Sequence, residues 1–176
     1  MEISQNSATS IRIKGRDVAI VINPTKLSET AATAITIFSD PSKIIDNVID
    51  SFVITTPGEY EVKNVRVYGY PLKNEVIYMI QLEGVSIVYM AGNSAEITKE
   101  LSEELNIVNV LIIPVSSDPD DLISELEPNI VIPQNFTEES LPKFLKNLGV
   151  ENVEKTPKLK VATFGEEEEM KVVVLI

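Results

Sequence analysis

Histidine and cysteine, the side chains on which most enzyme sites depend, are both absent from this chain of 176 residues. Without imidazole and thiol groups the chain has no histidine general base, no Ser-His or Cys-His nucleophile, no disulfide and no ordinary zinc site. The groups that remain are carboxylates, amides, hydroxyls, lysine, arginine and tyrosine. Any catalysis by this chain must use one of them.

The densest group of carboxylates is formed by Asp118, Asp120 and Asp121. Oxygen-only sites for hard cations use such clusters. The same stretch, Ser-Asp-Pro-Asp-Asp before an apolar run, is also typical of a helix start, with a cap, a proline in the first turn and acids at the positive end of the helix dipole. The helix start is the favoured interpretation, because it already explains the acids.

A Ser-Lys pair is the other candidate for chemistry, since a lysine can activate a serine nucleophile. Ser42 and Lys43 are adjacent in the sequence, and adjacent side chains rarely face each other. No glycine-rich nucleophile elbow surrounds them. We interpret this stretch as a loop, and we expect the tyrosines to pack in strands with their hydroxyls at the rim of the core.

Acidic residues outnumber basic ones by 27 to 15, which gives a net charge of -12. Binding to nucleic acid needs clustered cations, and the few cations of this chain are scattered, so we expect no nucleic-acid partner. There is no apolar run of the length that a membrane span needs, and residues 1–10 are too polar for a signal peptide. The sequence therefore predicts a cytoplasmic, acidic protein without a membrane segment.

Short runs rich in Ile and Val, broken by turn residues, fill the first half of the chain and are typical of strands. The predicted strands of this half are Ser10–Lys14, Val18–Ile22, Ala34–Phe38, Ser51–Thr55, Tyr60–Lys63, Val65–Tyr70, Glu75–Leu82 and Val85–Met90.

After residue 93 the pattern becomes one of alternating helices and strands. The predicted order is helix Ala95–Asn106, strand Val108–Pro114, helix Pro119–Glu127, strand Asn129–Pro133, helix Glu138–Leu148 and strands Leu159–Thr163 and Lys171–Ile176. Such alternation places functional loops at the carboxyl ends of the strands. No linker interrupts it, so residues 1–176 are predicted to form one compact domain.

The segment Thr55–Val65 (TTPGEYEVKNV) resembles a part of the metallo-β-lactamase-fold hydrolases, in the branch of the ascorbate-6-phosphate lactonase-like proteins. Ile11–Gly15 and Val88–Asn93 resemble the opening hairpin and the central strand end of that family, and Pro128–Asn135 resembles a later strand. The resemblance runs nearly from end to end. It implies an α/β fold of the αββα type, a four-layer sandwich.

In that family a His-x-His-x-Asp-His loop, with further histidines and an aspartate, holds one or two metal ions that activate water. The resemblance places this loop on Ser39–Ile44, so that its histidine positions fall on Ser39, Pro41 and Ile44, and Lys43 replaces its aspartate. A cation, a proline and an isoleucine cannot bind a divalent metal through their side chains. The resemblance therefore implies a family member that has lost its metal ligands.

The resemblance also aligns the central aspartate with Asn93 and two later histidines with Asn74 and Asn135. Three asparagines would keep the old pocket polar without charge, and three neutral amides would hold a dication poorly. Asparagine is also a common loop and capping residue at strand ends, and this second interpretation is the favoured one.

Taken with the composition, the resemblance predicts a pseudoenzyme without metal or other cofactor that works as a binding or assembly component. Its vestigial pocket would comprise Ser39, Pro41, Lys43, Ile44, Asn74, Asn93 and Asn135. The alternative is a metal-dependent hydrolase that uses a non-standard carboxylate and amide site. Pro41, Ile44 and Ile45 make the former ligand loop partly apolar, so the loop either fills the pocket or forms a contact with a protein partner, for which a second copy of the chain is favoured.

Overall fold

The computed structural model describes residues 1–72, 76–92, 98–115, 120–151, 153–162, 164 and 170–176. Its strands are β1 (Glu2–Gln5), β2 (Ile11–Lys14), β3 (Ala19–Ile22), β4 (Ile35–Ile37), β5 (Phe52–Ile54), β6 (Gly58–Val62), β7 (Val65–Pro71), β8 (Val76–Leu82), β9 (Val85–Tyr89), β10 (Val110–Pro114), β11 (Ile130–Gln134), β12 (Glu154–Thr156), β13 (Lys158–Lys160) and β14 (Lys171–Leu175). Its α-helices are α1 (Lys99–Leu105), α2 (Asp120–Leu126) and α3 (Ser140–Asn147), and 3-10 turns lie at Leu27–Thr30 and Pro41–Lys43.

The strands form two sheets. A six-stranded sheet has the order β13-β1-β2-β3-β4-β5, and an eight-stranded sheet has the order β12-β14-β11-β10-β9-β8-β7-β6. Within them β3, β4 and β5 run parallel, as do β9, β10, β11 and β14. Their carboxyl ends therefore point to shared edges of the sandwich, where loops can meet.

The main core lies between the sheets, because each strand directs alternate side chains to its two faces. Ile13, Ile20, Tyr78 and Ile112 belong to this inter-sheet core and are fully buried. The central parallel strand β10 is buried along its whole length. A strand whose two faces are both buried needs apolar side chains on each face, which is why Val110–Pro114 contains no polar residue.

The outer faces of the two sheets are covered differently. On the eight-stranded sheet, Leu105, Leu126 and Phe144 of the three helices form a second core with residues such as Met79 and Leu111. On the other sheet, the guanidinium of Arg12 donates to the carbonyls of Glu29 and Ala31. The 3-10 turn and its loop thus take the place of an outer helix there.

The predicted α/β class with two sheets is confirmed, and so is the alternation of helices and strands in the second half. The αββα order differs in one layer of the described residues, because the 3-10 turn at Leu27–Thr30 lies where a helix was expected on the six-stranded sheet. Two strands were not predicted, β1 and β12, because both are rich in polar and charged residues and lie near sheet edges. α1 begins at Lys99, since Thr98 has extended backbone and its side chain accepts a hydrogen bond from the Leu101 amide. Residues 95–97 of the helix predicted from Ala95 lie outside the described residues. None of the helices in the described ranges is long and apolar enough to cross a membrane.

Candidate functional site

Polar side chains gather where four strands end. Asn23 follows β3, Ser39 follows β4 by one residue, Tyr89 is the last residue of β9 and Gln134 is the last residue of β11. All four line one cleft of about 380 Å³ between the edges of the two sheets. The other lining residues are Thr9, Pro24, Thr25, Phe38, Asp40, Lys43, Ile45, Ala91, Pro114 and Asn135.

Asn23 connects the two sheets at the base of this cleft. Its Oδ1 accepts a hydrogen bond from the Ser39 amide, and its Nδ2 donates to Ser39 Oγ and to the Tyr89 hydroxyl. The donor–acceptor distance is 2.8 Å in all three. The Tyr89 hydroxyl in turn donates to the Thr9 carbonyl at 3.3 Å. The backbone of Asn23 is left-handed, with φ of 49°. Asparagine tolerates this conformation better than most residues, so one residue type serves both the turn and the network.

A second tyrosine supports the loop that carries Ser39. Tyr78 is fully buried between the sheets, and its hydroxyl lies 3.4 Å from the carbonyls of Phe38 and Thr56. Burial is the largest cause that raises the pKa of Tyr78, so the phenol stays neutral and keeps its proton to donate. The backbone that follows β4 and β5 is thereby attached to the inter-sheet core.

The rim of the cleft carries one acid and one base that neutralise each other. Asp40 Oδ1 accepts hydrogen bonds from the amide and the hydroxyl of Ser42, and Lys43 Nζ lies 3.3 Å from Asp40 Oδ2. The hydrogen bonds from Ser42, more than the charge of Lys43, lower the pKa of Asp40 below its usual value. The Asp40 carboxylate is thus occupied in capping the 3-10 turn.

The cap predicts a pH-dependent contribution to stability. A carboxylate whose folded pKa is lowered stabilises the fold above its unfolded pKa, and this stabilisation is lost as the pH falls through the folded pKa. We expect Asp40→Ala to lower the free energy of unfolding by about 1 kcal/mol at pH 7, with the difference shrinking below about pH 4. Urea unfolding at both pH values measures it. Asp46→Ala, at an exposed acid of the same loop, is the control; a pH-independent effect at Asp40 would contradict the assignment.

Gln134, the last residue of β11, is a buried amide with 1% of its surface exposed. Its Nε2 donates to the Met90 carbonyl at 3.0 Å. Its Oε1 is buried and has no hydrogen-bond partner in the described part of the chain. Buried polar atoms are nearly always paired, so an unpaired acceptor beside a cleft is an unusual feature.

The structure brings together three of the residues that the sequence predicted for the pocket: Ser39, Lys43 and Asn135 line the cleft. Pro41 is the first residue of the adjoining 3-10 turn, Ile44 directly follows this turn, and both are exposed. Asn74 and Asn93 lie outside the described residues, as does Asp118 of the acidic cluster. Asp120 and Asp121 are the first two residues of α2, in agreement with the helix start that the sequence favoured.

Three residues of the site were not among the predicted ones: Asn23, Tyr89 and Gln134. Tyr89 was expected at a rim, but it is buried and bridges Asn23 to Thr9. The available signal for Asn23 and Gln134 was their position directly at the end of a β-run, at Ile22-Asn23-Pro24 and Pro133-Gln134-Asn135. Residues at carboxyl ends of parallel strands are the ones that share an edge.

The chain matches known proteins along most of its length. A model of the beta-lactamase superfamily domain matches residues 2–135, which includes every described residue of the cleft. The chain belongs to the beta-lactamase superfamily. Among proteins with curated functions, none matches the sequence. The resemblance to the ascorbate-6-phosphate lactonase-like branch stays a prediction.

Solved structures of the superfamily share the fold. A Thermotoga maritima protein assigned to the Zn-dependent hydrolases of the metallo-beta-lactamase superfamily is 19% identical with a TM-score of 0.83, covering 99% of this chain and 98% of its own. A protein assigned to the metal-dependent hydrolases, from Parabacteroides distasonis, is 11% identical with a TM-score of 0.67, covering 98% and 91%. Igni18, a metallo hydrolase from Ignicoccus hospitalis, is 12% identical with a TM-score of 0.63, covering 92% and 99%.

The described residues of the cleft do not fit the metal ions that the relatives' names imply. No group of three His, Cys, Asp or Glu side chains that could hold a metal lies in the described part of the chain. The cleft has one described carboxylate, Asp40, and this is bonded to Ser42 and paired with Lys43. An ammonium group 3.3 Å from the available carboxylate opposes a dication at the same place.

A substitution at Ile44 tests whether the apolar side chains of its loop fill the cleft of this superfamily member. Ile44 is 44% exposed and does not line the cleft, whereas Ile45 is half-buried and does. We therefore expect Ile44→Asp to change the free energy of unfolding by less than about 0.5 kcal/mol, because nothing buried is lost. Chemical unfolding measures this effect, and Ile107→Asp, at another exposed isoleucine, is the control.

The same variant addresses the predicted contact with a second copy. Four exposed large apolar side chains lie in and before β5, which is one of the two edge strands of its sheet: Ile44, Ile49, Phe52 and Val53. If they form such a contact, the mass of Ile44→Asp in solution falls to that of a single chain while the melting temperature is kept. A loss of several kcal/mol of stability would instead show that Ile44 is a pocket plug.

Proposed function

We propose that this chain is a catalytically inactive member of the beta-lactamase superfamily, whose cleft binds a ligand without hydrolysing it. The observation that carries the proposal is the chemistry of the cleft. Its polar groups are amides, hydroxyls and one neutralised Asp-Lys pair, in a chain without histidine or cysteine. These groups can hold a polar molecule by hydrogen bonds, but they offer neither metal-activated water nor a neutral general base.

The geometry of the hydroxyl groups supports a binding role over nucleophilic catalysis. Ser39 Oγ and the Tyr89 hydroxyl both accept hydrogen bonds from Asn23 Nδ2, which is a donor and cannot take a proton from either of them. Nucleophilic catalysis by a serine needs a base within hydrogen-bond reach. Lys43, the cation at the rim, is instead paired with Asp40.

The alternative is a hydrolase that uses a hard cation held by carboxylate and amide oxygens. Such a site would have to recruit Asp40, together with Asn135 or Gln134 from the opposite side of the cleft. Asp40 is already the cap of the 3-10 turn, and its lowered pKa reflects that use. Recruiting it would cost the cap and bring the cation next to Lys43, so the binding role is the better supported function.

Hydrolysis assays test the proposal. The purified protein would be incubated with a chromogenic β-lactam, a lactone, a thioester and bis-p-nitrophenyl phosphate, each with added Zn²⁺, Mn²⁺ or Mg²⁺. We expect no turnover above that of buffer with the same metal. Turnover of any substrate that is lost in both Asp40→Asn and Asn135→Ala, but kept in Asp46→Asn, would contradict the proposal and favour the carboxylate and amide site.

A further inference from the structure

The four edge strands of the two sheets differ in the charges that protect them from pairing with another chain. Natural sheet edges commonly carry charged side chains that prevent such pairing. Three edge strands, β6, β12 and β13, have exposed charged residues: Glu59, Glu61, Glu154, Lys155, Lys158 and Lys160. The fourth edge strand, β5, consists of Phe52, Val53 and Ile54 and has no charge. Its sequence therefore leaves this edge open to pairing.

Exposed apolar side chains also concentrate at β5. In the part of the chain that the structure describes, seven large apolar side chains are exposed, and four of them lie within residues 44–53. In β5 itself, Phe52 is 48% exposed and Val53 is 40% exposed. A concentration of apolar side chains on the surface is typical of an interaction site.

The main chain of β5 has a free side. The Phe52 amide donates to the Ala34 carbonyl, which precedes β4. The Ile54 carbonyl accepts from the Phe38 amide, which follows β4. Because the main-chain groups of successive residues point to opposite sides of a strand, those of Val53 point away from β4. No strand of the described residues lies on that side, so Val53 offers one donor and one acceptor to another chain.

The inter-sheet core is open at the same side of the molecule. β5 and β6 are the outermost strands of the two sheets here, and the rings of Phe52 and Tyr60 meet edge to face with their centroids 6.2 Å apart. Phe52 shares a face of β5 with the buried Ile54, because alternate residues of a strand share a face. A strand added beyond β5 would therefore cover Phe52 and extend this core.

A second copy of the chain fits this edge by symmetry. The segment Ser51–Thr56 has no charged residue, and Asp50 before it has left-handed backbone with φ of 57°, which ends the extended conformation. When two such segments pair antiparallel about Val53, the two valines exchange both main-chain hydrogen bonds, and Phe52 lies opposite Ile54 of the other copy. The pairing places no like charges opposite each other, although each chain has a net charge of -12.

We propose that β5 is a self-association strand, through which two copies join their six-stranded sheets into one continuous sheet. The proposal assigns the contact with a second copy to the main chain of β5 and not to the loop at Ile44. It goes beyond the proposed ligand-binding function, since none of residues 51–56 is among the described residues that line the cleft.

The mass of the full chain in solution tests the proposal. Sedimentation equilibrium at chain concentrations up to about 200 µM should give a mass that approaches that of two chains, with a Kd on the order of 10 µM for a small interface. Added salt should strengthen the association, because it screens the repulsion between two acidic chains and the contact itself is uncharged.

Substitutions at Val53 separate strand pairing from a general apolar contact. Val53→Lys places two ammonium groups opposite each other, and Val53→Pro removes the outward N–H that the single chain does not use. Each should raise the Kd at least about tenfold while the secondary structure by circular dichroism is kept. Val53→Thr keeps the β-branched shape and the N–H, and should keep the Kd within about threefold. Ile107→Lys, at an exposed isoleucine outside residues 44–53, is the control and should leave the Kd unchanged.

Amide hydrogen exchange gives a readout that only strand pairing produces, and it decides the matter if Val53→Pro does not fold. In dilute protein the Val53 amide should exchange fast and the Phe52 amide, which is bonded to Ala34, should exchange slowly. At about 200 µM the exchange of the Val53 amide should slow severalfold, because most chains are then paired.

Either of two results would overturn this inference. One is wild-type protein that keeps the mass of a single chain at about 200 µM in high salt, which would leave β5 as an edge for a strand of a different protein. The other is a dimer whose Kd is unchanged in Val53→Lys and whose Val53 amide exchanges equally fast at all concentrations. Both leave the proposed inactive binding protein standing, because the hydrolysis assays test that function separately.

Discussion

Asn23→Ala is expected to lower the free energy of unfolding by about 3 kcal/mol, because it removes the hydrogen bonds of Asn23 with the buried Ser39 amide, with Ser39 Oγ and with the Tyr89 hydroxyl. The change also forces an alanine into the left-handed backbone that Asn23 adopts. For a domain of this size the melting temperature should fall by about 10 °C. Urea unfolding followed by circular dichroism measures the effect.

Asn64→Ala is the matched control for the backbone contribution. Asn64 also has left-handed backbone, with φ of 62°, but it lies exposed in the turn between β6 and β7. Its replacement should cost only the conformational part, about 1 kcal/mol. Equal losses of stability at the two asparagines would show that the hydrogen bonds of Asn23 contribute nothing to the free energy of unfolding. That result would contradict the stabilising connection between the two sheets through Asn23.

Gly69→Ala is expected to lower the free energy of unfolding by about 1–3 kcal/mol through overpacking. A Cβ atom at Gly69 would lie 2.9 Å from Tyr78 Cε1, 3.1 Å from the Pro57 Cα and 3.2 Å from the Thr56 carbonyl oxygen. Backbone atoms cannot move away as a flexible side chain can. Because the Tyr78 hydroxyl lies against the Phe38 carbonyl, the change should also disturb the loop that carries Ser39.

Gly84→Ala separates this clash from the general cost of replacing a glycine. Gly84 has φ of +79°, and an added Cβ there meets no atom within 4 Å. It should lose about 1 kcal/mol from backbone strain and leave the amide resonances of Phe38 and Ser39 unchanged. Gly69→Ala should shift those resonances. A Gly69→Ala protein as stable as wild type, with unshifted resonances, would show that β7 does not pack tightly at this position.

The sequence predicted the fold well where hydrophobic patterning decides the structure. β10 is a continuous apolar run, β8 is apolar except for Gln81, and α3 has the spacing of an amphipathic helix. β1 was missed because its residues Glu2–Gln5 are mostly polar. It exists because the strand pairs with β2 and β13 and because Ile3 is fully buried, and both of these depend on distant parts of the chain.

The site was predictable in its location but only partly in its residues. The family resemblance placed Ser39, Lys43 and Asn135 at one edge, and these residues line the cleft. An alignment with the family's metal ligands identifies only the positions that those ligands occupy. Asn23 and Gln134 matter here for other reasons, an inter-sheet hydrogen-bond bridge and an unpaired carbonyl, and both follow from geometry between segments far apart in sequence.

Metal stoichiometry distinguishes an inactive binding protein from a metal-dependent hydrolase. The protein would be saturated with Zn²⁺, Mn²⁺ or Fe²⁺, dialysed, and analysed for metal per chain by mass spectrometry. An inactive binding protein whose cleft offers amides, hydroxyls and a neutralised Asp40 should retain well under about 0.1 equivalents of each metal, because its donors hold dications poorly. About one equivalent that survives dialysis and is lost in Asp40→Asn would contradict the account and identify this cleft as a metal site.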